Sequence, residues 1–304
     1  MQTQDGGLIP GSAGHPAFSL HHARPSPIPI LIAVPHAGRL YPPELIRRLR
    51  APREASLRLE DRLIDLVAAA VADQTGASLL IAHAPRAMID LNRAVEDMDW
   101  DMVAEGAPAN IVRHAAGRRA RSGLGLVPRR LPGTGELWRK RLSQADLSAR
   151  IEHIHKPYHA TLAHALETLR DRWGSALLID LHSMPPLGPK TGRNPAADFV
   201  MGDRFSASCD PALMHVALAH FSRAGRLAAH NRPYAGGYVL DRHGVPARGL
   251  NAMQIEVCRA VYLDQAMEQP GDFLGETAQL IASLVRRLAD ELAGSQHAMP
   301  QAAE

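Results

Sequence analysis

His36 follows ILIAVP and His182 follows ALLIDL, so each imidazole comes at the end of a short aliphatic run. Neutral imidazoles are transition-metal ligands, and a catalytic zinc commonly takes two or three of them, often with a carboxylate, leaving one position open. The acidic candidates nearest in type and place are Glu60 and Asp61 in LEDRLIDLV, with Glu44 closer to His36 along the chain. Acidic residues at the start of a helix also complement its dipole with no ion present, so these residues alone leave the third ligand open. Asp180, two residues before His182, is placed to accept from a ring nitrogen and orient it.

Two other stretches could do chemistry. PRAMIDLNR sets Arg86, Asp90, Asn92 and Arg93 in or beside an apolar run, where charge is costly unless paired with another residue or with a ligand. The planar fork of Arg93 suits a carboxylate. A structural pair between Asp90 and an arginine explains the pattern equally well. In MQIEV, Glu256 is flanked by Ile255 and Val257, and burial of that kind raises a carboxyl pKa toward the range of a general base. A buried glutamate bonded to backbone leaves the same trace.

The elements that must position these residues alternate. Strand-like runs cover 30–34, 78–83, 87–91, 176–181, 198–202 and 253–257, and helical periodicity covers 59–73, 148–173, 211–224 and 273–292. Such alternation predicts an α/β fold with a mixed, mostly parallel sheet covered on both faces. Ligand crevices in such sheets lie beyond the carboxyl ends of the strands, where His36 and His182 fall. Residues 96–132 break the alternation with Gly, Pro and Arg, which marks a long functional or mobile loop.

The bulk numbers narrow the class. With 304 residues and 46% hydrophobic content the chain can bury a sizeable core. Residues 1–27, rich in Gly, Pro, Ser and His, lack a secretory signal's basic start and apolar centre and read as a flexible arm. The expected division is this arm, a single catalytic domain over 28–294 and a loose tail over 295–304. Cys209 and Cys258 are too few and too far apart for a disulfide framework, which favours a reducing, cytoplasmic setting and a packing role. No apolar stretch approaches the roughly 20 residues that span a bilayer, so no membrane partner is expected. Net charge is only +3, yet Arg113, Arg118, Arg119, Arg121, Arg129, Arg130, Arg139, Lys140 and Arg141 crowd one segment. With 4% aromatic residues and no stacking platform among them, nucleic acid is not the expected partner. A solvated face, or a field that steers a small anion, accounts for the cluster.

The order PHAG, EDRLID, RAMIDLNR, GLGLVPRR, HKPYH, LIDLHSMPP, GDRFSASCDP, NRPYAGGYV and MQIEV resembles the N-formylglutamate amidohydrolase family over residues 27–272. The resemblance implies a three-layer α/β/α, phosphorylase/hydrolase-like fold and a zinc-dependent hydrolase akin to zinc carboxypeptidases and aspartoacylase-like enzymes. It implies one zinc per chain on His36 and His182, a substrate-carboxylate clamp at Asn92 and Arg93, a carbonyl partner at Arg86 and a base at Glu256. That wider group writes its acidic ligand as His-x-x-Glu, whereas Arg39 stands three residues after His36. Asp61 is therefore the expected third ligand, with Glu60 second. The implied substrate is N-formyl-L-glutamate, a small acidic N-acyl amino acid cleaved to formate and L-glutamate in histidine breakdown. Tyr158, His159, Asn231 and the AGGY turn with Gly237 are expected near the side-chain pocket, although the glycines serve equally well as a plain turn. Two alternatives stand beside this reading: a metallo-hydrolase of another N-acyl amino acid or small peptide, and a non-catalytic binding protein on the same fold. The sequence does not decide the oligomeric state.

Overall fold

In the computed structural model, which describes residues 1–107, 118–131, 133–192 and 195–297, the aliphatic runs form the centre of one eight-stranded sheet. The strands are β1 (Gln2–Gly6), β2 (Phe18–His22), β3 (Ile30–Val34), β4 (Ser78–Ala82), β5 (Arg130–Leu131), β6 (Gly135–Glu136), β7 (Ala176–Met184), β8 (Phe199–Gly202), β9 (Ala228–His230) and β10 (Leu250–Cys258). β5 and β6 make a separate hairpin, and the main sheet runs β1-β2-β4-β3-β7-β10-β8-β9. Its centre, β4, β3, β7 and β10, is parallel. β8 joins β10 antiparallel, as β2 joins β4. Every residue of β3, β7 and β10 is buried, as expected of interior strands covered on both faces.

The helices are α1 (Pro43–Arg48), α2 (Pro52–Leu59), α3 (Ile64–Thr75), α4 (Arg118–Arg121), α5 (Gln144–Arg150), α6 (Lys156–Trp173), α7 (Pro211–Arg223), α8 (Tyr238–His243) and α9 (Leu274–His297). α3, α7 and α9 pack their apolar stripes on Ile30, Ile32, Ile179 and Ile255 from one face of the sheet. α6 and α8 cover Leu31, Leu178 and Ala252 on the other, completing the three layers. None of the described helices is long and apolar enough to cross a membrane.

Four local readings change. Residues 1–27 are not a loose arm: β1 and β2 extend the sheet, and the N–H groups of His83 and Ala84 both donate to the carbonyl of Ala17. Residues 87–91 are buried but form no strand. Pro85 starts a tight turn there, and the backbone of Asp90 bonds to the carbonyl of Leu126. The helix expected over 59–73 starts later, as α3 at Ile64; α2 ends at Leu59, and residues 60–63 form a break in which Leu63 takes a left-handed conformation. The helix expected over 148–173 is α5 and α6 joined through one π turn, Ile151–His155.

Of the basic segment, Arg113 lies outside the described residues. Arg129 pairs with Asp99 at 3.0 Å and Glu136 at 3.1 Å, and Arg139 donates to the carbonyl of Leu49 at the end of α1, so the one holds the loop together and the other ties it to the body. Of the expected tail, residues 298–304 also lie outside the described residues.

Candidate active site

Because β3, β7 and β10 are parallel, their carboxyl ends bring His36, His182 and Glu256 to one edge of the sheet. Asp61 joins them from the break between α2 and α3, where its N–H donates to the carbonyl of His36 at 2.9 Å. It is therefore no helix-start residue, and a role in complementing a helix dipole does not describe it.

The three side chains converge. Oδ2 of Asp61 is 2.8 Å from Nδ1 of His182 and 3.5 Å from Nδ1 of His36. One ligand atom from each of the three lies within 4.8 Å of the others, and all three residues are buried. The outer nitrogens are held by carboxylates: Nε2 of His36 is 2.7 Å from Asp90, and Nε2 of His182 is 2.8 Å from Asp180. A carboxylate behind each imidazole is the support that metal-bound histidines ordinarily have. Nδ1 of His36 is buried with no hydrogen-bond partner and faces the same point. That unsatisfied donor atom and the His-Asp-His set fit a divalent cation of the zinc type. Glu60 does not join them; its carboxylate bonds to Arg62 at 3.0 Å.

Charge in this pocket is tightly balanced. Burial alone would raise the Asp61 carboxyl, but its bond with His182 and the neighbouring His36 imidazole hold it well below the usual carboxylate range. Burial disfavours charge on His182, yet Asp180 and Asp61 beside it push its pKa well above the imidazole value. Glu256 sits in register with His182 across β10 and β7, and burial lifts its pKa to about 7. Its Oε1 accepts from the Gln254 amide at 2.9 Å.

These residues open onto a cavity of about 160 Å³, also lined by Arg58, Arg86, Asn92, Arg93, Gly237 and Arg259. Arg86 donates to Asp90 at 2.9 Å, so one carboxylate ties Arg86 to His36. Arg93 is anchored by bonds to the carbonyls of Leu124 and Asn92. The side-chain amide oxygen of Asn92, Oδ1, accepts from the N–H of Val239 at 2.9 Å. Gly237 has a packing reason as well: a Cβ there would fall 2.6 Å from that same Asn92 oxygen.

Tyr158 and Asn231 do not reach the cavity. Tyr158 is fully buried on α6, its ring edge-on to Phe18 at 5.6 Å, and Asn231 caps the loop of Asp203, accepting from its N–H and donating to its carboxylate. His159 is likewise internal, stacked on His243. Sequence reasoning missed Arg58, Gln254 and Arg259 in the cavity wall. Arg259 was within reach of the strand-end argument that found the histidines, since it directly follows β10.

Comparison with known proteins adds a family. The family profile described as N-formylglutamate amidohydrolase matches residues 28–263. The N-formylglutamate deformylase of Pseudomonas aeruginosa is 28% identical over 273 residues, covering 87% of this chain and 92% of that protein. The N-formylglutamate deformylase of Pseudomonas putida is 29% identical over 282 residues, covering 90% and 95%. The crystal structure of N-formylglutamate amidohydrolase from Ralstonia eutropha JMP134 superposes with a TM-score of 0.82 at 29% identity, covering 92% of this chain and 99% of that one. A gene product of Agrobacterium tumefaciens, Atu2144, shares the fold with a TM-score of 0.64 at 18% identity, covering 92% and 96%. On the breadth of the profile match, the chain belongs to the N-formylglutamate amidohydrolase family.

Proposed function

We propose that the protein hydrolyses the amide of N-formyl-L-glutamate, or of a closely related N-acyl amino acid, using one zinc ion per chain. The observation that carries this is the convergence of His36, Asp61 and His182, each histidine backed by a carboxylate, beside a buried glutamate in an arginine-lined cavity. The names of the deformylase relatives support the formyl substrate.

His36, Asp61 and His182 would hold the cation, which when bound supplies Lewis acidity toward the amide oxygen and a more acidic water. Glu256 takes a proton from the attacking water and delivers it to the leaving nitrogen, so that the C–N bond breaks to give formate and a free amine. Arg86 meets the negative charge that develops on the carbonyl oxygen, and its bond to Asp90 keeps it aimed without consuming its remaining N–H groups. Asn92 and Arg93 bind a substrate carboxylate and thereby place the amide.

Metal analysis of purified protein tests the centre directly. We expect about one zinc per chain, lost together with formate release in His36→Ala and in His182→Ala. Undiminished turnover in a demonstrably metal-free preparation sinks this reading. Formate release from N-formylglutamate, set against acetate release from N-acetyl amino acids, decides between the formyl substrate and another acyl group.

A further inference from the structure

Four guanidinium groups line the cavity, and they differ in what already balances them. Arg86 is 2.9 Å from Asp90, Arg58 is 3.5 Å from Glu54 and Arg93 is 3.9 Å from Asp97. For Arg259, the one carboxylate within 4 Å among the described residues is Asp61, at 3.8 Å, and Asp61 is the carboxylate of the candidate metal centre. A cation bound there draws that negative charge to itself. The Arg259 side chain is 12% exposed, too enclosed for water to take over as its counter-charge.

The group is also oriented. Nε donates to Ser183 Oγ at 3.1 Å, Nη1 to the carbonyl of Leu57 at 3.0 Å and Nη2 to the carbonyl of Glu60. These neutral partners fix the guanidinium plane and leave one N–H on each terminal nitrogen for a further acceptor. Arg259 comes three residues after Glu256 and is bonded to the residue after His182, so it stands at the end of the sheet where the reaction is placed.

We infer that Arg259 receives a second carboxylate of the substrate, the one that Asn92 and Arg93 do not take. The site then selects N-acylated dicarboxylic amino acids over those with neutral side chains. This deepens the proposed amide hydrolysis and rests on it.

The competing role for Arg259 is only to brace the Glu60–Asp61 turn, and kinetics with binding separates the two. For the wild-type protein, kcat/KM for N-formylglutamate should exceed that for N-formylglutamine about 100-fold. That ratio should collapse toward unity in Arg259→Gln and fall only part of the way in Arg259→Lys, which keeps the charge but not the fork. Calorimetric binding of glutarate against butyrate should show the same loss of preference in Arg259→Gln. No preference in the wild type, or a preference that survives in Arg259→Gln while both activities and zinc content fall together, overturns the inference. If neither formyl compound is turned over, the proposed reaction fails, and the glutarate preference still decides for or against Arg259.

Discussion

At the scale of single residues, Glu256 shows how burial sets chemistry. Enclosure lifts its carboxyl to about 7, so the group is a carboxylate above that pH and protonated below it. The pH profile of kcat/KM should therefore rise through an acid limb near neutrality, moved lower by the positive charge of a bound cation. Glu256→Gln should lose about 1,000-fold in kcat with zinc content unchanged. A variant that keeps both rate and limb rules Glu256 out as the base. The convergence of His36, His182 and Glu256 could be anticipated from the pairing of two strand-end histidines with a glutamate in a third apolar run, since each residue alone has an ordinary structural explanation. The preference for Asp61 over Glu60 came from the family resemblance alone, because the turn at Leu63 that separates the two side chains is announced by no side-chain pattern. Tyr158 and Asn231 were misplaced because a helix or a loop can turn a polar side chain inward toward purely internal partners.

At the scale of elements, the π turn Ile151–His155 matters most. The extra residue rotates His155 inward, where Nε2 lies 2.8 Å from the carbonyl of Arg93 and the ring stacks on Tyr238 and tilts against His159. His155 thereby fixes the backbone of the proposed clamp from outside the cavity. His155→Leu should raise KM about 10-fold with little change in kcat, and His155→Gln, which keeps a donor, should recover most of that loss. Unaltered KM in His155→Leu leaves the turn a packing feature. The run 87–91 was misread as a strand because its apolar residues are buried beneath a loop and not in a sheet. Burial was legible there, but the hydrogen-bond partner that distinguishes the two was not.

At the scale of the whole molecule, the three layers and the parallel centre followed from alternating periodicities, whereas β1 and β2 on one flank and the edge strand β9 on the other escaped notice. QTQDG and FSLHH carry too few apolar residues to register as strands, yet Phe18 and Leu20 are core residues. A chain shortened to begin at residue 28 should lose several kcal/mol, since burying a side chain such as Phe18 is worth about 1.5–3 kcal/mol and the edge of β4 is bared as well. Thermal unfolding and light scattering will measure this; an unchanged midpoint with no association shows the two strands to be dispensable.

The separation of His36, Asp61 and His182 along the chain has a further effect. A nascent polypeptide that has not yet reached residue 182 does not hold the complete His36, Asp61 and His182 set. On the proposed metal centre, uptake would follow the pairing of the central strands, so that a bound cation would report on completed folding and would not nucleate it.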